Sequence, residues 1–422
     1  MVVGWTKRLL GADSGMPPAL ALGSVTTAIG SGVFAAGSAV FFTGYVGCSG
    51  AQVGLGLSVA ALIAFAAQVP LGMLVDRMGS WRCWLAAVLL LALLFACYPA
   101  VTGFASFLVV VVACTLCSTL GGLSRGRYIG DVLAKESRVR VSARIRVNAN
   151  IGTALGMLLA GACLAIGTRE AYIALPIVNA ASYLVDLVLI GFFMPRTQPL
   201  PRDRTRTGKA ALRDGPFLTL TVINGIMMVN DTLFGIVIPL WVLRRTDAPH
   251  ATVAALFLLN TALVVFCQTR VGRSAEKIPG AARAQRRAAY AIAASCVVFA
   301  STSGTSGWQT LGLLAAGTVL LTAGELLEAA AAWGISYGLA PDDRRGEYLA
   351  VFGLGPQLMD VVGPVALTGL TLACGWAAWL GIAVVVLGAG AAVGPAAAWA
   401  QRRTDTAAAA ALPPHHVRQD VQ

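Results

Sequence analysis

The sequence is poor in charged residues. Only 12% of its 422 residues are charged, whereas a soluble domain carries about 25%, and the mean hydropathy is +0.76. This shortage excludes an ordinary water-soluble enzyme. Acids are the scarcer sign, with 19 Asp and Glu against 31 Lys and Arg. A net charge of +12 on a soluble protein would suggest nucleic-acid binding. In a membrane protein it is the excess typical of cytoplasmic loops, so we expect no nucleic-acid partner.

Residue types that bind metals or react with cofactors are also few. The three histidines fall at a helix end or in the C-terminal tail, at His250, His415 and His416. The nine cysteines lie in or beside apolar stretches, which favours packing over redox chemistry. Cys114 and Cys117 form a CxxC without a second pair, and the sequence has no Walker A motif. We therefore expect no metal, no cofactor and no ATP-driven pumping.

Long uncharged runs are the main feature that is present. A spanning helix needs about 20 apolar residues, so the run between Asp13 and Asp76 holds two helices, and the run between Arg82 and Arg125 holds two more. Continued along the chain, this pattern predicts an all-α membrane protein of twelve helices in two six-helix bundles. The predicted parts are an N-terminal bundle (1–194), a cytoplasmic linker (195–215), a C-terminal bundle (216–400) and a disordered cytoplasmic tail (401–422).

The basic residues orient this arrangement. If the segments between helices are assigned alternately to the two sides, 28 of the 31 basic residues fall on the side of the linker. The other three are Arg169, Arg244 and Arg245. The positive-inside rule then predicts that both termini are cytoplasmic.

The loop between the second and third helices carries a motif. Residues 72–82 read Gly-Met-Leu-Val-Asp-Arg-Met-Gly-Ser-Trp-Arg. This resembles the G-x-L-x-D-R-x-G-R-R/K signature of the major facilitator superfamily, with Ser80 in place of a basic residue. Residues 268–273 resemble a degenerate second copy. Residues 125–156 and 324–355 are similar to bacterial efflux proteins of multidrug type.

The resemblance implies a secondary transporter that works by alternating access. We expect a monomer in a bacterial cell membrane that exports a small amphipathic drug-like or metabolite compound against inward proton flow. The rival function is a proton-coupled nutrient importer of the same fold. A membrane-embedded enzyme is disfavoured, because Asp342 and Asp343 precede two arginines and no second acidic cluster follows.

The motif is expected to act as a conformational gate. Glycines permit a close helix approach and a tight turn. Asp76 is expected to face the positive N-terminal end of a helix from the other half, and Arg77 to pair with Asp131. We assign the gate to Gly72, Asp76, Arg77, Gly79, Arg82 and Asp131.

Acids inside the predicted helices are candidates for proton coupling, because burying them in a bilayer is costly. Glu325 and Glu328 are three residues apart, share a helix face and are suited to share one proton. We expect Glu325 to be the more deeply placed. The coupling candidates are Glu325, Glu328, Asp231 and Asp360.

No basic residue is predicted near the middle of a helix. The cavity is therefore expected to be acidic and free of cations, which suits a cationic or neutral amphipathic substrate better than an organic anion. The cavity candidates are Asn224, Asn230, Asp186, Phe34 and Trp333. The alternative for Asp186 is a hydrogen bond to Tyr183 or Asn179, and the alternative for the aromatic residues is packing between helices.

Overall fold

The computed structural model describes residues 16–166, 168–197, 210–249, 251–272 and 275–411, and the regular structure in them is helical. The first half contains α1 (Pro18–Val40), α2 (Gly50–Met78), α3 (Ser80–Cys97), α4 (Gly103–Val132), α5 (Lys135–Ile166) and α6 (Arg169–Phe193). The second half contains α7 (Gly215–Arg245), α8 (Ala251–Gly272), α9 (Ile278–Ser301), α10 (Trp308–Leu339), α11 (Arg345–Cys374) and α12 (Trp376–Ala411).

Eleven of these helices are long and apolar enough to cross a membrane. The exception is α9, because Arg283, Arg286 and Arg287 lie in its first turns. The remainder of α9 is apolar and packs against α10 and α12. The prediction of an all-α membrane protein with twelve helices is confirmed.

The last helix extends into the predicted tail. Helix α12 continues to Ala411 and so includes residues 401–411. The alanine-rich run Ala407–Ala411 has a high helix propensity, which extends the helix. Residues 412–422, with both tail histidines, lie outside the described residues, as does His250.

Both ends of the linker are attached to the bundles. The Tyr128 hydroxyl donates to the carbonyl of Pro195 (3.1 Å), and the amide of Trp81 donates to the Thr197 hydroxyl (3.1 Å). At the other end the amide of Ala211 donates to Glu347 (3.0 Å). Residues 198–209 lie outside the described residues. We call this side of the molecule the linker face, and the side where α1 ends and α2 begins the opposite face.

The hydrogen bonds and ion pairs that join the two halves lie toward the linker face. The Gln68 amide in α2 donates to the carbonyl of Ala350 in α11 (2.9 Å). Arg140 in α5 pairs with Glu276, which lies between α8 and α9 (2.9 Å). Toward the opposite face, by contrast, residues 57–65 of α2 and 358–361 of α11 line a cavity of about 370 Å³. The two halves are thus closed against each other at the linker face.

Glycines bring α1 and α5 into backbone contact within the first half. A Cβ at Gly156 of α5 would collide with the carbonyl oxygen of Ile29 in α1, and a Cβ at Gly32 would collide with that of Thr153. Small residues are the usual means of close helix packing in membranes. Gly161, one turn further along α5, has open space around its Cα.

The contrast between two glycines of α5 gives a stability prediction. Gly156→Ala forces α1 and α5 apart and is expected to destabilise the protein by about 1–3 kcal/mol, the usual cost of overpacking. Gly161→Ala introduces the same methyl group into open space and should leave stability unchanged. Thermal unfolding of the two purified variants measures the difference. Equal melting temperatures would contradict the packing of α1 on α5.

Candidate functional site

Asp76 lies where the two halves meet at the linker face. Helix α2 ends just after it because Gly79 adopts a φ of 91°, a conformation that favours glycine. The side chain of Asp76 is buried and accepts hydrogen bonds from the amides of Gly346 and Glu347, each at 2.8 Å. These amides belong to the first turn of α11, so the carboxylate faces the positive end of a helix from the other half. The motif predicts this placement; its gating role stays a prediction.

A network of charges surrounds Asp76. Arg127 of α4 pairs with Asp76, and its Nε lies 3.4 Å from Asp131. Arg345 of α11 pairs with Asp131 at 2.9 Å and also with Asp342. A Cβ at Gly130 would collide with the Arg345 side chain, so this glycine leaves room for the arginine to reach Asp131. The network therefore joins α2 and α4 of the first half to α11 of the second.

The predicted pair between Arg77 and Asp131 is wrong. Arg77 is exposed, because it follows Asp76 by about 100° around the helix and points away from the interface that Asp76 faces. Asp131 instead pairs with Arg127 and Arg345 and accepts a hydrogen bond from the Ser80 hydroxyl at 2.8 Å.

The remaining gate candidates separate into two groups. Gly72 lies in the interface, since a Cβ there would meet the carbonyl oxygen of Gly346 at 2.5 Å. Gly79 ends α2. Arg82, like Arg77, is exposed and is not part of the charge network.

A second contact between the halves lies deeper in the molecule. Arg146 of α5 forms an ion pair with Glu325 of α10 at 2.5 Å. Asn260 of α8 donates to the second oxygen of Glu325 at 2.9 Å and to the Thr322 hydroxyl at 3.0 Å. Glu328, one turn further along α10, is 1% exposed and its Oε1 has no hydrogen-bond partner. We call Arg146, Glu325, Glu328 and Asp231 the central cluster, since all three acids lie within electrostatic range of Arg146.

The central cluster corrects two expectations. The centre is not free of cations, because Arg146 reaches into it; the sequence analysis counted this arginine among the 28 basic residues on the side of the linker. The more deeply buried acid of the pair is Glu328, whereas the Glu325 side chain is 13% exposed. Arg146 sits 12 residues into α5, far enough from the linker face to meet α10 in the interior.

Helix α7 is irregular where it carries its polar residues. Its regular part ends at Met227, a short turn spans Val229–Thr232, and a π-helical segment spans Leu233–Val237. Such π segments are often found at functional sites. Asp231 lies in this break and accepts a hydrogen bond from the buried Asn230 at 3.0 Å. Asn224 is buried one turn before the break, and its Oδ1 has no hydrogen-bond partner.

Two other acids line cavities away from the central cluster. Asp360 of α11 is exposed and lines the cavity between α2 and α11. Asp186 of α6 lines a cavity of about 320 Å³ inside the first half. Neither alternative partner of Asp186 bonds to it: the Tyr183 hydroxyl bonds to Ser31, and the Asn179 amide oxygen accepts from Ser182.

The two aromatic cavity candidates are packed. Phe34 lies in an aromatic cluster near the opposite face, with ring centroids 4.9 Å from Phe95 and 5.2 Å from Tyr98. Trp333 packs against the hydrophobic core of the second half. Packing between helices, the alternative stated for aromatic residues, describes both.

Sequence interpretation missed Arg127, Arg345, Arg146 and Asn260 as site residues. A signal for Arg146 was available, because buried acids in a membrane protein usually pair with a cation or a carbonyl. The polar run from Arg138 to Asn150 contains four arginines and two asparagines that could be considered as such partners. Among the described residues, no group of three His, Cys, Asp or Glu side chains is placed to hold a metal ion.

Two bundles of membrane helices that meet through ion pairs and close at one face form the architecture of a secondary transporter. The chain belongs to the Major Facilitator Superfamily, whose family model matches residues 20–364. No curated protein sequence matches this chain significantly. The family identifies the chain as a membrane transporter rather than an enzyme.

Solved structures with the same fold cover nearly the whole chain. The human organic anion transporter MFSD10 (TETRAN) has a TM-score of 0.70 at 14% identity, over 92% of this chain and 99% of that one. A bacterial homologue of the iron transporter ferroportin in an outward-facing state has a TM-score of 0.68 at 15% identity, over 91% and 98%. The E. coli fucose:proton symporter FucP has a TM-score of 0.63 at 12% identity, over 90% and 98%. At such identities the likeness concerns the fold.

The contacts of Asp76 predict a conformational effect. Asp76→Asn removes the charge that Arg127 pairs with and replaces one acceptor of a backbone amide by an NH₂ group. We expect it to disfavour closure of the linker face by about 1–3 kcal/mol, the cost of unpaired buried polar groups. Spin labels are to be attached at Lys135 and Arg283, exposed residues of α5 and α9, in a cysteine-free background. Double electron–electron resonance should then report a longer distance between the labels in Asp76→Asn than in the parent protein.

Arg77→Gln is the matched control, since it changes the next residue of the same motif but an exposed one. Its distance distribution should equal that of the parent protein. If Asp76→Asn leaves the distance unchanged, or if Arg77→Gln lengthens it equally, Asp76 does not hold the linker face closed.

Proposed function

We propose that this protein is a proton-coupled exporter of a small amphipathic compound. The main support is the ion pair of Arg146 with Glu325, which joins the two halves. Two further acids, Asp231 and Glu328, lie within electrostatic range of the same arginine. A carboxylate that takes up a proton loses its charge and with it most of its attraction for an arginine. Protonation at this position would therefore weaken a contact that holds the halves together.

The proposed cycle uses the predicted topology, in which the linker face is cytoplasmic. With that face closed, a proton enters from the outside and neutralises Glu325. The ion pair with Arg146 weakens, the linker face opens, and the proton leaves to the cytoplasm while substrate binds. Moving one charge through 100 mV supplies about 2.3 kcal/mol, which is comparable to the cost of breaking such a contact.

The charges of the centre favour a particular substrate class. Three acids face one arginine, so the central cluster has an excess of acidic over basic side chains even with Arg146 present. This excess favours a cationic or overall neutral compound over an anion. Asn224 and Asn230 of α7 are proposed to contribute hydrogen bonds to it, and Asp360 to attract cations between α2 and α11. We place the protein in a bacterial cell membrane, as a monomer with cytoplasmic termini.

A transport assay tests the direction and the coupling. Cells that lack their own efflux systems are to express the protein and be loaded with amphipathic dyes, ethidium among them. The parent protein is expected to lower dye accumulation in an uncoupler-sensitive way. Glu325→Gln and Asp231→Asn should abolish most of that effect, because the proton site or its electrostatic partner is lost.

Glu170→Gln is the matched control, an exposed acid at the start of α6 that should export as the parent does. Uncoupler-sensitive uptake by the parent would favour the proton-coupled importer; one solved structure of the same fold is that of a fucose:proton symporter. Export that persists in Glu325→Gln and is insensitive to uncoupler would refute proton coupling through the central cluster.

A further inference from the structure

The first half contains a cavity of its own, whose lining residues all belong to that half. It has a volume of about 320 Å³ and is lined by residues of α1, α3, α4, α5 and α6. Small-molecule sites in proteins begin at about 300 Å³, so the space is large enough for a small organic compound. The central cluster does not contribute to its lining.

Two opposite charges face this cavity without pairing. Asp186 of α6 is 5% exposed, yet among the described residues it has neither a hydrogen bond nor an ion pair. Arg125 of α4 lines the same space, within electrostatic range of Asp186. An isolated buried carboxylate is costly in a membrane protein. A ligand that presents a cation to Asp186 and an anion to Arg125 would satisfy both groups at once.

The remaining wall has a polar and an apolar part. Hydroxyl groups of Thr27 and Thr153 supply further hydrogen-bond capacity, whereas Trp84, Val88 and Leu91 of α3 form an apolar surface. Such a division between convergent polar groups and an apolar lining is typical of small-molecule sites. It suits a compound with a charged end and an apolar body.

We propose that this cavity binds a small amphipathic zwitterion, with its amine at Asp186, its carboxylate or equivalent anion at Arg125, and its apolar body against Trp84 and Val88. The compound is neutral overall, in accord with the substrate class of the proposed function. The inference rests on that function only in taking the ligand to be the transported compound. Binding itself is independent of proton coupling.

Thermal stabilisation of the purified full chain tests the site. The probes are L-leucine, L-phenylalanine and L-tryptophan, each compared with its amide, which lacks the anion. At least one amino acid is expected to raise the melting temperature in a saturable way, and its amide to do so at least about tenfold less effectively. Asp186→Asn and Arg125→Gln should each weaken the apparent affinity by about tenfold or more, because the partner charge is left unpaired.

A cavity-filling variant tests the site without changing a charge, so the test does not depend on whether Asp186→Asn and Arg125→Gln fold. A Cβ at Gly122 of α4 meets nothing within 4 Å, and this residue lines the cavity. Gly122→Leu should abolish stabilisation by the probe, whereas Gly161→Leu, also in open space but outside the cavity, should not.

The outcome is separable from that of the proposed function. Glu325→Gln should lose export and still be stabilised by the amino acid. The zwitterion site is refuted if none of the three probes stabilises the parent protein, if amide and amino acid act equally, or if Gly122→Leu retains the full effect.

Discussion

Charged side chains between the two halves need partners, because they are removed from water where the halves touch. A buried ion pair adds little to stability, because the attraction between its charges is largely offset by their loss of hydration. A buried charge without its partner, however, costs several kcal/mol. Asp76 accepts hydrogen bonds from the first amides of α11, and Asp131 pairs with Arg345, only while α11 lies against α2 and α4. The pairs of Arg127 with Asp76 and Asp131 lie within the first half and do not require α11. Opening therefore has to exchange the contacts of Asp76 and Asp131 with α11 for water.

The contacts at the linker face and the contact in the central cluster depend on different interactions. At the linker face, Asp76 is held by backbone amides at the start of α11, so the contact depends on helix geometry. Gly72 and Gly130 allow it by leaving room for the Gly346 backbone and the Arg345 side chain. In the central cluster, the contact of Arg146 with Glu325 depends on the protonation of a side chain. Under the proposed function, a proton weakens the contact of Arg146 with Glu325, while the contacts of Asp76 and Asp131 with α11 supply the closure of the linker face.

Much of the architecture could be predicted from the sequence. The absence of charge over long runs marks helices in a bilayer, where every backbone group must be hydrogen-bonded internally. The motif around Asp76 led to the expectation that its carboxylate faces a helix end of the other half, and it does so at the start of α11. Pairings across the interface could not be predicted in the same way. Asp131 has several arginines within reach in sequence, and only the path of α11 determines that Arg345 meets it.

The interior position of the Arg146 side chain could not be predicted from the sequence either. An arginine at the edge of an apolar run is read as the end of a membrane segment, yet a long side chain on a 32-residue helix extends into the interior when an acid is there. The extension of α12 to Ala411 is a similar case, since polarity at Gln401–Arg403 marks the bilayer edge but does not end a helix.

Closure of the linker face is proposed to require a charged Glu325 paired with Arg146. The distance between spin labels at Lys135 and Arg283, measured by double electron–electron resonance in the parent protein and in Glu325→Gln, tests this requirement. A short distance is expected in the parent and a longer distance in Glu325→Gln, because the neutral amide cannot form the ion pair with Arg146. A Glu325→Gln variant whose distance distribution equals that of the parent would contradict the requirement.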